Sequence, residues 1–268
     1  MGVTSSFLSV RDVSLSFGGI HALKGVSFDI APGQICGLIG PNGAGKTTLF
    51  NCISRIYRPD SGSIVFDDVE LLSRAPHQII TQGISRTFQN VALFTSMTVL
   101  ENVMLGGHSR AETNPVLSMV AWPGVRRDES GLRRDAMELL SYLDLMPVRD
   151  RLAAELPYPT QKRVELARAL MSSPKLLLLD EPAGGLSHEE VESLRDLIRR
   201  IREERDLTIL LVEHHMELVM SISDNVCVLN FGEKIADGPP ADVRKSPGVI
   251  KAYLGEEAPS EAQAGATH

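Results

Sequence analysis

Residues 40–47 read Gly40-Pro41-Asn42-Gly43-Ala44-Gly45-Lys46-Thr47 and fit the pattern G-x-x-x-x-G-K-[ST]. This spacing serves to hold a chain of phosphates. Glycines let successive backbone N–H groups turn inward around a β-phosphate, and a helix beginning just after the loop adds roughly half a positive charge at its N-terminus. Lys46 then balances β- and γ-phosphate charge, and Thr47 presents a hydroxyl to Mg2+. A second set follows 130 residues later, where Leu176–Leu179 runs into Asp180-Glu181-Pro182. A buried strand ending in two acids places carboxylates at the carboxyl edge of a sheet, where α/β folds bind their ligands. Asp180 would hold Mg2+ through water, and Glu181 would polarise an attacking water. Alone, each motif has a plainer reading, a Gly-rich turn with an exposed Lys or a solvated strand end. Together they describe phosphate-bond hydrolysis.

Such groups need a scaffold. Residues 9–17 alternate toward Val13, Leu15 and Phe17, residues 26–30 place Val26, Phe28 and Ile30 on one face, and 63–70 follows suit, all as half-buried antiparallel strands. Ile35–Ile39, Leu176–Leu179, Ile209–Val212 and Val226–Leu229 are near-continuous apolar runs, the pattern of parallel strands covered on both faces. The phosphate loop sits between the first of these and a helix carried by Leu49, Phe50, Ile53 and Ile56. Ser187 and Glu190 make a capping box, after which Val191, Leu194, Leu197, Ile198 and Ile201 recur at helical spacing. From about 85 to 170 no convincing buried strand is visible, and Leu132, Ala136, Leu139, Leu140 and Leu143 carry a helix near 130–145. The expected fold is α/β: a P-loop NTPase core with a parallel sheet, an antiparallel β flank and an inserted α-helical subdomain. The corresponding division is 1–84 and 171–240 for the phosphate-binding α/β core with its antiparallel flank, 85–170 for the helical subdomain, 241–255 for a C-terminal helix and 256–268 for a disordered tail.

Composition narrows the function. The 268 residues are 43% hydrophobic and 5% aromatic, enough for one large core with an appended subdomain or two small domains. Lys plus Arg number 27 against 34 Asp plus Glu, a net charge of −7, which removes nucleic acid as a main partner. No apolar run approaches the roughly 18–20 residues of a membrane span, and no secretory signal opens the chain. Cys36, Cys52 and Cys227 show no metal spacing and read as reduced core thiols. His21, His77, His108, His188 and His215 show no paired metal spacing either.

The loop GPNGAGKTT ending at Thr48, the Asp-Glu-Pro after a tetra-leucine strand, Gln89 in RTFQN and His214 in LLVEHH resemble, in order and spacing, the nucleotide-binding subunit of an ABC transporter. The resemblance covers about residues 9–255. FGGIHAL at 17–23, the 106–130 insertion, LPYPTQKRVELARAL at 156–170 and the ending around AYLGEE resemble most the first of two ATPase subunits of branched-chain amino acid importers. What the resemblance implies is a Mg-dependent ATPase, peripheral on the cytoplasmic face of the membrane. Its partners would be polytopic permease subunits, a second ATP-binding subunit in a homo- or heterodimer, and indirectly an extracytoplasmic solute-binding protein. Phe17 matches the aromatic that stacks on adenine. Gln89 matches the loop linking Mg2+ and γ-phosphate to the membrane subunits, and His214 matches the switch that contacts γ-phosphate. Gly184-Gly185-Leu186-Ser187 matches the loop crossing the dimer.

The sequence departs from the family at the signature that faces the partner's ATP, here Leu156-Pro157-Tyr158-Pro159-Thr160-Gln161. Pro159 stands where a glycine N–H should meet the γ-phosphate, and proline has none. One reading is a comfortable helix start, with Thr160, Gln161 and Lys162 still offering N–H groups and function intact. The other is a degenerate half-site. Two alternatives to a transport subunit also stand: a soluble ABC-type ATPase in cofactor assembly, and a P-loop protein that binds ATP as an assembly switch.

Overall fold

The computed structural model describes residues 6–87, 91–107 and 123–254. Gln89, most of the 106–130 insertion and the 256–268 tail lie outside them. The chain divides into two compact units, Met1–Leu72 with Val212–His268, and Ser73–Leu211.

In the first unit, β1 (Leu8–Phe17) and β2 (Ile20–Ile30) pair antiparallel, with Leu8 opposite Ile30 and Val10 opposite Phe28. Leu8, Val10, Val13 and Leu15 are buried; Val13 and Leu15 follow the expected alternation, a register shift between Val10 and Val13, where Asp12 has φ +47°, keeps Leu8 and Val10 buried as well, and Phe17 at the strand end is exposed. After β3 (Ile35–Ile39) and α1 (Lys46–Ile53) come β4 (Ser61–Phe66) and β5 (Val69–Glu70), which complete a four-stranded sheet of order β2-β1-β4-β5. Every residue of β3 is buried. The helix α1 is shorter than expected: Ser54 caps it, Arg55 turns the chain at φ +60°, and Ile56 is left 54% exposed. An apolar residue at helical spacing does not extend a helix whose backbone has already turned left-handed.

In the second unit, β6 (Ile84–Arg86) pairs parallel with β7 (Leu176–Asp180), putting Ile84 opposite Leu176. Between them lie α2 (Val99–Gly106), α3 (Pro123–Tyr142) and α4 (Tyr158–Leu170). After β7 come α5 (His188–Arg205) and β8 (Thr208–Val212), whose end marks the unit boundary, with strand order β8-β7-β6. The α5 capping box forms: Glu190 N–H donates to Ser187 Oγ at 3.4 Å and Ser187 N–H to Glu190 Oε2 at 2.7 Å. β6 was not expected. It has three residues, two of them polar, too few for any periodicity to register.

The first unit is completed by α6 (Met216–Ile222), β9 (Asn225–Asn230), β10 (Glu233–Gly238), α7 (Pro240–Val243) and α8 (Pro247–Leu254). β9 lies parallel to β3, with Cys36 opposite Asn225, and β10 closes antiparallel onto β9. β10 is a second unexpected strand, because an edge position needs no continuous apolar face. All three cysteines are buried, and burial pushes the Cys36 and Cys52 thiols up to about 12. They are protonated core filling.

Candidate nucleotide site

β3 delivers the chain into the phosphate loop, and two close approaches require its glycines. A Cβ at Gly40 would collide with the Leu229 carbonyl of β9, and one at Gly45 (φ +101°) would stand 2.6 Å from the Ala22 carbonyl. The loop is thus pressed against its own unit's backbone. Ala44 N–H donates to Pro41 O at 3.2 Å, and Gly232 N–H donates to Ala44 O at 3.0 Å, which pins the curl from the β9–β10 turn. Lys46 opens α1 and is 8% exposed; its Nζ donates to Gly40 O at 2.6 Å and Pro41 O at 2.8 Å. The ammonium is therefore held inside the loop by carbonyl dipoles. Asn42, Gly43 and Thr47 are exposed and Thr48 is half-buried, so Thr47 meets solvent at the positive end of α1.

Two other predicted residues lie in this unit. Phe17 ends β1 47% exposed, its ring edge-on to Tyr57 at 5.3 Å between centroids. Tyr57 went unnoticed in the sequence, although an aromatic a few residues beyond a phosphate-loop helix is a usable signal. His214 is exposed just after β8. Its base is the buried Glu213, whose Oε2 accepts from His214 N–H at 3.1 Å and His215 N–H at 3.2 Å. Glu213 thereby fixes the turn that carries the histidine. In the sequence nothing sets it apart from any other charge that follows a strand.

In the second unit, Asp180 is the last residue of β7, 3% exposed, and Arg86 Nη2 of β6 donates to its Oδ2 at 2.8 Å. Burial pushes the Asp180 carboxyl above the ordinary carboxylate range, while the hydrogen bond and charge of Arg86 pull it back. Arg86 stands three residues before Gln89 in RTFQN, but nothing local ties it to an acid 94 positions on. Removing one partner of such a pair strands the other's charge in the interior. Arg86→Met is expected to destabilise the full chain by about 3 kcal/mol, read as an earlier urea unfolding midpoint. The double variant Arg86→Met/Asp180→Asn should recover part of that loss, and a wild-type midpoint for Arg86→Met would refute the pairing.

Glu181 follows with φ +46°, a left-handed conformation for a residue with a Cβ. The signature begins at buried Leu156; Pro157 is the cap of α4 and Pro159 sits in its first turn. Of the four N–H groups a helix start leaves unpaired, the two prolines remove two, leaving those of Tyr158 and Thr160. The donor set is smaller than the sequence implied. Gln161 N–H is committed to Pro157 O at 3.0 Å, and Lys162 lies beyond the unpaired turn. The Gln161 side chain folds back, its Nε2 donating to Leu156 O at 3.0 Å.

Among the described residues no group of three or more His, Cys, Asp or Glu side chains is arranged to hold a metal by itself. The Thr47 hydroxyl in the first unit and the Asp180 carboxylate in the second are each a hard oxygen donor, the type Mg2+ takes alongside substrate phosphates.

A glycine-pressed phosphate loop with its buried lysine, and a strand ending in a buried aspartate followed by glutamate, define a P-loop nucleotide hydrolase. Residues 23–184 match the family described as ABC transporter, and residues 233–259 match the one described as branched-chain amino acid ATP-binding cassette transporter. The chain belongs to the ABC transporter family, as an ATP-binding and ATP-hydrolysing subunit. It is 43% identical to the high-affinity branched-chain amino acid transport ATP-binding protein BraF of Pseudomonas aeruginosa, over 93% of this chain and 98% of that protein. It is 41% identical to the corresponding protein LivG of Escherichia coli, over 95% of this chain and all of that one. Among solved structures, a nucleotide-free ATP-binding cassette from an ABC transporter matches with TM-score 0.80 and 30% identity over 92% of this chain and 98% of that one. The ADP conformation of another such cassette matches with TM-score 0.81 and 31% identity over 94% of this chain and 100% of that one.

Proposed function

We propose that this chain is the ATPase subunit of an importer for branched-chain amino acids or related small polar solutes. It docks on the cytoplasmic face against polytopic permease subunits, pairs with a second ATP-binding subunit, and depends on an extracytoplasmic solute-binding protein for cargo. The observation that carries the solute class is the likeness to BraF along more than nine-tenths of the chain. Among the described residues no helix is long and apolar enough to cross a membrane, and this reading assigns the spanning part of the importer to partner subunits.

In this reading the loop from Gly40 to Thr48 cradles the phosphates with the backbone N–H groups that are not proline's or already bonded within the loop, and Lys46 exchanges its carbonyl partners for β- and γ-phosphate oxygens. Thr47 and Asp180 would hold Mg2+, with Gln89 as a further ligand; when bound, the ion neutralises charge on the β- and γ-phosphates. Phe17 stacks on adenine, with Tyr57 bracing the ring edge-on. Glu181 orients the attacking water, and His214, on the turn fixed by Glu213, answers to the γ-phosphate. Gln89 relays γ-phosphate occupancy to the permease. The signature, Leu156 to Gln161, faces the partner's ATP. Tagged chain extracted with mild detergent is expected to co-purify with polytopic subunits; recovery with soluble assembly proteins alone would overturn the transport reading.

The proline-bearing signature leads to a graded expectation. Losing one preorganised donor to a transition-state charge costs on the order of a hundredfold in rate. Pro159→Gly restores an N–H at the helix start and should raise turnover of a homodimer at least about tenfold. Steady-state ATPase at saturating Mg-ATP measures this. An unchanged rate would show that Tyr158 and Thr160 already suffice.

A further inference from the structure

Within the second unit the start of α4 is fastened to the catalytic loop by a residue outside both motifs. Lys162 Nζ donates to the Glu181 carbonyl oxygen at 3.0 Å. That oxygen also accepts from Gly184 N–H at 3.1 Å, so the peptide leaving Glu181 is held by one bond from its own turn and one from the signature helix. The lysine is half-buried and its ammonium stands 5.4 Å from the centre of the Tyr158 ring. Tyr158 in turn meets the loop four residues beyond Glu181: a Cβ at Gly185 would be 3.0 Å from its Cε1. Glu181 and Gly185, the two ends of this short turn, thus both rest on α4.

Glu181 needs such a hold. Its φ of +46° is a conformation that costs a residue with a Cβ on the order of 1–3 kcal/mol unless the surroundings impose it. Pro182 restricts the backbone on one side, since its ring fixes its own φ. The charge-assisted bond from Lys162 fixes the carbonyl between them. The direction of the Glu181 Cα–Cβ bond, from which the side chain starts, follows from that backbone.

We propose that Lys162 is a positioning residue for ATP hydrolysis: by bonding the Glu181 carbonyl it sets the aim of the Glu181 carboxylate, and with Tyr158 it couples that aim to the signature helix of the same subunit. The inference rests on the reading of Glu181 as the group that orients water. A displacement of about 1 Å in a catalytic group can cost a hundredfold in rate, whereas nothing in this contact touches ATP. Lys162 therefore belongs in kcat and not in KM.

The test uses the complex assembled with its membrane subunits, comparing Lys162→Met, Lys162→Arg, Glu181→Gln and the Lys162→Met/Glu181→Gln double variant. Lys162→Met keeps the aliphatic stem and removes the donor; kcat is expected to fall at least about tenfold, with KM for ATP held within about twofold. Lys162→Arg, which can still donate to the carbonyl, should recover most of that rate. The double variant should be no slower than Glu181→Gln alone, because Lys162 acts through Glu181. Wild-type kcat in Lys162→Met beside an inactive Glu181→Gln would overturn the inference and leave the role of Glu181 standing. An active Glu181→Gln would overturn the underlying reading. A loss confined to KM, or one that adds fully in the double variant, would also reject it. Should Lys162→Met fail to assemble, Lys162→Gln, with a shorter neutral donor, is expected to lose kcat between the wild-type and Glu181→Gln rates, and a wild-type kcat there overturns the proposal.

Discussion

Lys46→Ala is expected to weaken ATP binding by roughly one to two orders of magnitude, the worth of a charge-assisted hydrogen bond, and to remove measurable turnover. Two consequences combine in that variant. The first is loss of the only lysine in the phosphate loop, whose ammonium is placed within the loop by Gly40 O and Pro41 O at 2.6 and 2.8 Å. The second is loss of positive charge where negative charge develops in the transition state, worth on the order of another hundredfold to a thousandfold. Equilibrium binding of a fluorescent ATP analogue and steady-state ATPase separate the two. Because the loop is also pinned by Gly232 N–H to Ala44 O and by the packing of Gly40 and Gly45, the variant should keep its fold. Wild-type nucleotide affinity in Lys46→Ala would remove the phosphate loop from the account.

Glu181→Gln should separate binding from chemistry. The amide keeps the size of the side chain and its backbone contacts, including the carbonyl bond from Lys162, but cannot act as a base. ATP affinity should stay near wild type while hydrolysis falls about a hundredfold to ten-thousandfold, so that ATP accumulates bound and unhydrolysed. Rapid-quench measurement of bound ATP against ADP reads this directly. Parental turnover in the full complex would assign the role to another residue.

How much of this was legible depended on the distance over which each signal acts. The phosphate loop, the Ser187 capping box and the run of β3 are local patterns, in which neighbouring residues report one another's geometry. The edge strand β10 and the three-residue β6 offered no such pattern, since each owes its place to a partner strand and not to its own periodicity. The same holds for chemistry. Asp180 and Glu181 announced themselves by following four leucines, but Arg86 reaches Asp180 across 94 positions and Lys162 reaches Glu181 across 19. Neither pairing leaves a mark that one sequence can display. The prolines of the signature were plain to read, whereas the number of N–H groups they leave depended on where α4 begins, a boundary that propensity sets only to within a turn.

The account makes hydrolysis by this chain the motive force for solute uptake, and proteoliposomes test that most directly. Vesicles would carry the complex with its solute-binding protein on the face opposite this chain and Mg-ATP on the same face as this chain. Radiolabelled branched-chain amino acid uptake would be followed together with phosphate release. The account predicts uptake that requires ATP, rises with hydrolysis, and vanishes in both readouts when Lys46→Ala replaces the wild-type chain. Uptake that persists with Lys46→Ala, or hydrolysis indifferent to solute and binding protein, would contradict it.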